Sequence, residues 1–218
     1  MRKVTLVVSL FALCSLLFGQ TDKSPRSVHT TEKSAIHVPP QAVPATLTRI
    51  YSNLGSSATD LYYDTDGLPI EGPNQNNGYA IFEAMQFTPA ADSHVSQVRV
   101  AVQYYGIGTS QVDLNIYSDA DGVPGTLLAG PAVVKNLADF GTCCTLAIGS
   151  FTPVAVTAGT RYWVVANTPA TGSGSEAFDI WDTVVQGKTL SSSLEADGTW
   201  FEEPGLLIPA GEVLGTVP

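Results

Sequence analysis

The stretch Leu114-Asn115-Ile116-Tyr117-Ser118-Asp119-Ala120-Asp121-Gly122-Val123-Pro124-Gly125-Thr126-Leu127-Leu128 decides the fold. Side chains alternate across a strand, so Leu114, Ile116 and Ser118 point one way while Asn115 and Tyr117 point the other. Asp121-Gly122 and Pro124-Gly125 then punctuate the pattern. Glycine takes the positive φ that sharp turns demand, and proline pre-sets φ for the first corner of a type I or II turn. A strand therefore runs into a tight acidic corner and out into a second strand.

The same grammar extends in both directions. Residues 47–53 read as a short alternating strand, followed by a loop over 54–77 rich in Ser, Gly, Asn and Asp. Inside that loop, Tyr63-Asp64-Thr65-Asp66-Gly67-Leu68-Pro69 echoes Tyr117-Ser118-Asp119-Ala120-Asp121-Gly122-Val123-Pro124, a likeness assigned to shared turn chemistry. Residues 79–87 and 95–105 are strands, the second with Val98, Val100 and Val102 on one face, as in a half-buried antiparallel sheet. Gly130-Pro131 interrupts the strand at 127–134, which is therefore bent or at an edge. Short strands over 145–151 and 154–156 are separated by Pro153, and the aromatic and β-branched run 161–167 suits a central strand. Residues 177–181 and a last pair around Trp200-Phe201 and Leu206-Leu207-Ile208 complete the set. No stretch has helical periodicity. About ten short strands spaced by turn signals predict an all-β fold, an antiparallel β-sandwich or jelly roll.

Three segments divide the chain. Residues 1–20, with Arg2 and Lys3 ahead of an apolar run to Phe18, read as a secretory signal peptide too short to span a membrane. Bulky Leu13 before Cys14 argues against a lipidation site, which wants a small residue there. Residues 21–45 mix Ser, Thr, Lys, His and Pro without periodicity and read as a flexible spacer. Residues 46–218 form the β-sandwich domain. Loss of Arg2 and Lys3 leaves eight basic residues against twenty acidic ones, so a nucleic-acid partner, which needs clustered cations, is excluded. The expected location is outside the cell or on its surface, with no membrane span in the mature chain.

In that oxidising setting Cys143 and Cys144 are adjacent. Neighbouring Cα atoms about 3.8 Å apart across a trans peptide are closer than an ordinary disulfide prefers. A vicinal disulfide is nonetheless favoured over buried thiols or an intermolecular bridge. Zinc is disfavoured, because two cysteines and three scattered histidines do not supply four ligands at recognised spacing.

Tyr51-Ser52-Asn53-Leu54-Gly55, Phe87-Thr88-Pro89, Ile116-Tyr117-Ser118-Asp119 with Gly122-Val123-Pro124-Gly125, and Ala158-Gly159-Thr160-Arg161-Tyr162-Trp163-Val164 together resemble the choice-of-anchor group of bacterial secreted domains. The resemblance covers residues 48–200. It implies a β-sandwich module carried to the cell surface by a variable C-terminal anchor, and it brings no catalytic residues. Residues 205–218 depart from that pattern, lacking a membrane-length apolar run and a basic tail, which favours simple secretion.

Three kinds of chemistry are candidates. Asp119 and Asp121 are spaced like the first ligands of an EF-hand loop, but position 6 is Pro124 and position 12 is Gly130, so that motif fails. A looser calcium site borrowing oxygens from another loop is the one cofactor reading left open, against a plain turn. Trp181 with Asp182, and Trp200 with Glu202, could form a platform for a sugar ring with carboxylates taking its hydroxyls, against a core role for each tryptophan. Catalysis lacks a Gly-x-Ser-x-Gly elbow, and His94 is the sole histidine of the domain. Glycosidase chemistry needs two carboxylates flanking a cleft, for which Glu83, Glu176 and Glu202 are nominal candidates. The expectation is a secreted, non-catalytic recognition or structural module with an extracellular glycan or surface component as partner. The alternatives are a glycoside hydrolase-like enzyme on a jelly-roll scaffold and a structural component of an envelope or matrix.

Overall fold

Alternating apolar residues become strands because each can bury one face, and this happens thirteen times among the described residues in strands of five residues or more. The computed structural model describes residues 28–29, 36–37, 41–56, 61–76, 78–184, 192–196, 199–203 and 208–218. The segment read as a signal peptide and most of that read as a spacer lie outside the described residues; within the latter, Val28–His29 pairs with Gly67 and Asp66, and Ile36–His37 pairs with Thr142 and Cys143. In chain order the strands are β1 (Thr48–Ser52), β2 (Tyr63–Asn76), β3 (Tyr79–Phe87), β4 (Ser93–Val100), β5 (Val102–Ile107), β6 (Gln111–Ala120) and β7 (Val123–Lys135). They continue as β8 (Ala147–Val156), β9 (Tyr162–Asn167), β10 (Phe178–Thr183), β11 (Ser192–Ala196), β12 (Thr199–Glu203) and β13 (Gly211–Thr216). One 3-10 turn, Ser173–Glu176, interrupts them.

Two antiparallel sheets result. The large one runs β5-β10-β2-β3-β9-β6-β7, and the small one β8-β4-β13-β1. The expected β-sandwich is what the chain forms. Val95, Val98, Val100 and Val213 of the small sheet meet Met85, Phe87, Leu114, Ile116 and Val164 of the large one in a single apolar core. Each such side chain contributes about 1.5–3 kcal/mol on burial. The hairpin β11–β12 leaves the seven-strand order and pairs with β3 from Ser192↔Met85 to Glu195↔Phe82. Edge strands β7 and β8 carry Pro124, Pro131 and Pro153, residues that a central strand excludes.

Several local expectations change. Residues 95–105 are two strands in different sheets: the chain crosses at Ala101, whose amide donates to Ala210 O at 3.0 Å while its carbonyl accepts from Asp182 N at 2.9 Å. The predicted loop 54–77 is largely the strand β2. Pro69 is tolerated there because pairing of β2 with β3 begins at Glu71↔Ile81. Residues 145–151 and 154–156 merge into β8, with the register shift between Ser150 and Val154 absorbing Pro153. The interruption at 127–134 is an edge strand with a cis Gly130-Pro131 bond, as the proline led one to expect. Strand β13 was not legible, since Gly211 and Gly215 break its alternation. Yet it lies between β4 and β1, and at Gly215 the backbone approaches His94 O too closely to admit a side chain.

Candidate functional site

Alternation along β6 sends Val112, Leu114 and Ile116 into the core and turns Gln111, Asp113, Asn115, Tyr117 and Asp119 to the outer face of the large sheet. The neighbouring β9 places Trp163 opposite Tyr117 and Val165 opposite Asn115. On the other side β3 sets Gln86 against Trp163 and Ala84 against Val165. Ala84, Trp163 and Val165 form a second small apolar cluster, against which Tyr117 and half-buried Trp200 of β12 pack. Trp200 is thus carried over this face by the hairpin that hangs from β3.

Beside the aromatic cluster runs a row of amides. Asn115 Nδ2 donates to Asn167 Oδ1 at 2.6 Å and to Asp113 O at 3.3 Å, and Gln111 Nε2 donates to Asp113 Oδ1 at 3.3 Å. Burial pushes the Asp113 carboxyl up, against the lowering effects of the Gln111 hydrogen bond and the Lys135 charge. Gln111, Asp113 and Asn115 are buried, whereas Asn167 and Tyr117 are half-buried, so an amide and a phenol are what this face offers to a hydroxyl-bearing ligand, beside the indole of Trp200.

A concavity of about 560 Å³ opens beside β1, the edge strand of the small sheet, lined by Arg49, Ser52, Leu54, Leu61, Leu146 and Glu212 among others. Its charges serve one another. Glu212 is buried and accepts from Arg49 Nε at 2.8 Å, with Arg99 Nη1 at 3.5 Å. Buried Arg99 also donates to Gln41 O at 2.9 Å, Ala42 O at 3.0 Å and Gln97 Oε1 at 3.0 Å, anchoring the chain as it enters the domain. Among the described residues Glu212 is the single carboxylate in that lining. Of the nominal glycosidase acids, Glu83 is wholly buried in β3 and Glu176 is exposed on the 3-10 turn.

A third feature is the set of acids inside the molecule. Asp179 and Asp182 on β10 are wholly buried, and none of their four carboxylate oxygens accepts a hydrogen bond from the described residues. Burial pushes Asp179 up to about 8. Asp182 is held well above the usual carboxylate range by burial first and then by the charges of Asp64 and Asp66 on β2. Those two are only 4% and 7% exposed. Between Asp182↔Gly67 and Thr183↔Tyr63 the register shifts, so residues 64–66 bulge opposite β10. Among the described residues no three acidic, histidine or cysteine side chains are arranged to hold a metal ion.

The residues singled out from sequence separate accordingly. Trp181 is not a surface platform: it is wholly buried and its Nε1 donates to Ala210 O at 2.9 Å. Asp182 beside it is equally buried and unavailable to a sugar. The polar residues around them misled because β10 lies inside the sheet between β5 and β2. Trp200 does lie at the outer face, while the Glu202 side chain falls outside the described residues. Asp119 is engaged by groups of the protein itself. Its Oδ1 accepts from Trp163 Nε1 at 2.9 Å and stands 3.6 Å from Arg161 Nη1, and its Oδ2 accepts from Gly122 N at 3.3 Å. Asp121 occupies the hairpin corner with φ 54°. Cys143 and Cys144 form the vicinal disulfide, across a cis peptide with Cα atoms 3.1 Å apart. Sequence reading missed the amide row, although the alternation of Gln111, Asp113 and Asn115 with apolar residues was its visible signal.

No helix among the described residues is long and apolar enough to cross a membrane. No family model matches the chain, and no curated protein matches it significantly. Among solved structures it is similar to the cysteine protease and lectin-like domains of Cwp84, a surface layer associated protein of Clostridium difficile. That similarity has a TM-score of 0.43 at 10% sequence identity, covering 81% of this chain and 37% of the other.

Proposed function

We propose that the protein is a secreted, non-catalytic recognition module that binds an extracellular glycan on the outer face of its large sheet. The observation that supports this reading is the conjunction, on one face, of the Gln111, Asp113, Asn115 and Asn167 row with Tyr117, Trp163 and Trp200. Half-buried Asn167, Tyr117 and Trp200 are the groups that would meet the sugar, and the buried Gln111, Asp113 and Asn115 behind them orient Asn167 through the Asn115 hydrogen bond. Secretion rests on the charged and apolar start of the sequence and fits the acidic composition.

Glycan-array binding tests the proposal, comparing the native protein with Trp200→Ala and Asn167→Ala. Loss of retention in both variants, with melting temperatures that show folded domains, is the expected result. Trp181→Phe serves as a core control that alters stability without abolishing retention. If the native protein retains no glycan, the carbohydrate reading is wrong.

A further inference from the structure

We propose that the cleft beside β1 is a binding site for a small monocarboxylate with an apolar body, gripped by the outward fork of Arg49. The site belongs to the small sheet and does not depend on the glycan reading of the large one.

Strand pairing assembles the polar end of the cleft. In β13, Glu212 lies opposite Ser52 of β1 and opposite Arg99 of β4, so the three side chains share one face. Val213 points into the core, which turns Glu212 to the outer side of the small sheet. Glu212 Oε2 accepts from Arg49 Nε at 2.8 Å, and its Oε1 stands 3.5 Å from Arg99 Nη1. Two guanidinium charges therefore meet one carboxylate charge. The chain as a whole carries −10, and of the four arginine and lysine residues described in the domain two converge here.

The surplus positive charge is presented by Arg49. Arg99 is buried and engages all three of its nitrogens behind the cleft, on Gln97 Oε1, Gln41 O and Ala42 O. Arg49 engages only Nε; its Nη1 and Nη2 make no hydrogen bond to the described residues, and its side chain is 56% exposed where it lines the cleft. A guanidinium presents its N–H donors in a planar fork that matches the two oxygens of a carboxylate. The bond from Nε to buried Glu212 orients that plane in advance, so less side-chain freedom is lost when a ligand arrives. Ser52 adds a donor: its Oγ accepts from Leu54 N at 3.2 Å, and its own proton has no acceptor among the described residues.

The remaining lining includes Leu54, Leu61 and Leu146, walls suited to an apolar body. The volume, about 560 Å³, is that of a small-molecule site. A monoanion cancels the surplus charge, whereas a dianion such as phosphate adds net negative charge to a chain already acidic.

Calorimetric titration of the native protein with benzoate and with hexanoate reads the site. Saturable binding of both is expected, with benzyl alcohol, which keeps the ring and lacks the charge, bound about tenfold more weakly or worse. Benzoate should shift the backbone amide resonances of Leu54, Gly55 and Ser56, which line the cleft. Arg49→Gln should weaken benzoate about tenfold and Ser52→Ala about threefold, as loss of a charged and of a neutral partner does. Absence of saturable binding to the native protein overturns the proposal, as do benzyl alcohol bound as tightly as benzoate, amide shifts confined to other regions, or unchanged affinity in Arg49→Gln. Inorganic phosphate bound more tightly than benzoate overturns it in favour of a phosphate site. Should Arg49→Gln fail to fold, Ser52→Ala and the amide shifts of the native protein decide.

Discussion

Two segments with nearly the same sequence meet opposite fates. Tyr63-Asp64-Thr65-Asp66-Gly67-Leu68-Pro69 lies within β2, paired with β10, its acids buried. Tyr117-Ser118-Asp119-Ala120-Asp121-Gly122-Val123-Pro124 forms the corner between β6 and β7, with Asp121 exposed at φ 54° and Gly122 at φ 100°. Local chemistry permits a turn in both places. What differs is the neighbour: β10 lies against the first copy and covers it, whereas the second projects beyond the sheet. A turn motif is therefore a permission, and tertiary packing decides whether it is used.

The glycines of the two copies give the sharpest way to break this comparison. Gly67 has no need of positive φ; it is required for space, since a Cβ there would run into Ile180 Cγ2 and stand 2.8 Å from Trp181 O. Gly67→Ala should cost about 1–3 kcal/mol or prevent folding, as overpacking against backbone does. Gly122→Ala meets backbone strain instead and should cost roughly 1–2 kcal/mol while leaving the core packing intact. Urea denaturation of both variants measures the difference. Equal costs, or a milder effect at Gly67, would show that the two copies are alike after all.

Acids separate the copies next. Asp179 at about 8 and Asp182 well above the ordinary range both have folded-state values raised by burial. The stability they carry is fully present below the ordinary carboxylate value near 4 and is lost as pH rises through the folded values. The melting temperature should therefore fall between about pH 4 and pH 8. Asp64→Asn removes one of the two charges that raise Asp182, lowering the folded value and so reducing the loss. Asp119→Asn, in the second copy, should leave the slope as it was. A melting temperature that climbs across this interval would contradict the assignment of neutral acids to β10.

The strand content was legible because burial of one face imposes period-two alternation, which the sequence of β6 shows directly, while β9 is a continuous apolar run buried on both faces. The crossing at Ala101 was not, because the alternation of Val98, Val100 and Val102 reads identically whether its ends lie in one sheet or two. The vicinal disulfide was legible from two adjacent cysteines and the oxidising setting expected from the start of the sequence. Trp181 and Asp182 were misplaced for the opposite reason: polar neighbours in sequence suggested a surface, but those acids are themselves buried. Burial of an acid depends on contacts more than a hundred residues away, such as Thr183 Oγ1 donating to Asp66 O at 3.1 Å, and no local pattern carries that information.

Smaller effects test the hairpin corner itself. Asp119 ties the corner to β9 by accepting from the Trp163 indole and from Gly122 N. Asp119→Ala should cost about 1 kcal/mol, the usual net worth of a hydrogen bond with a partner left partly unsatisfied. Because those oxygens already have donors, millimolar calcium should leave the melting temperature unchanged; a rise would restore Asp119 and Asp121 as ligands. Asp121→Asn is the mildest change. Its backbone is in the left-handed region, which asparagine and aspartate both tolerate, and asparagine before glycine is the favoured pair for a two-residue hairpin corner. Stability should change by no more than a few tenths of a kcal/mol, with a gain favoured. Asp66→Asn in the buried copy has no such latitude, since its side chain sits beside Asp182 rather than in solvent. If the two asparagine substitutions shifted urea midpoints equally, burial would not be what distinguishes the copies.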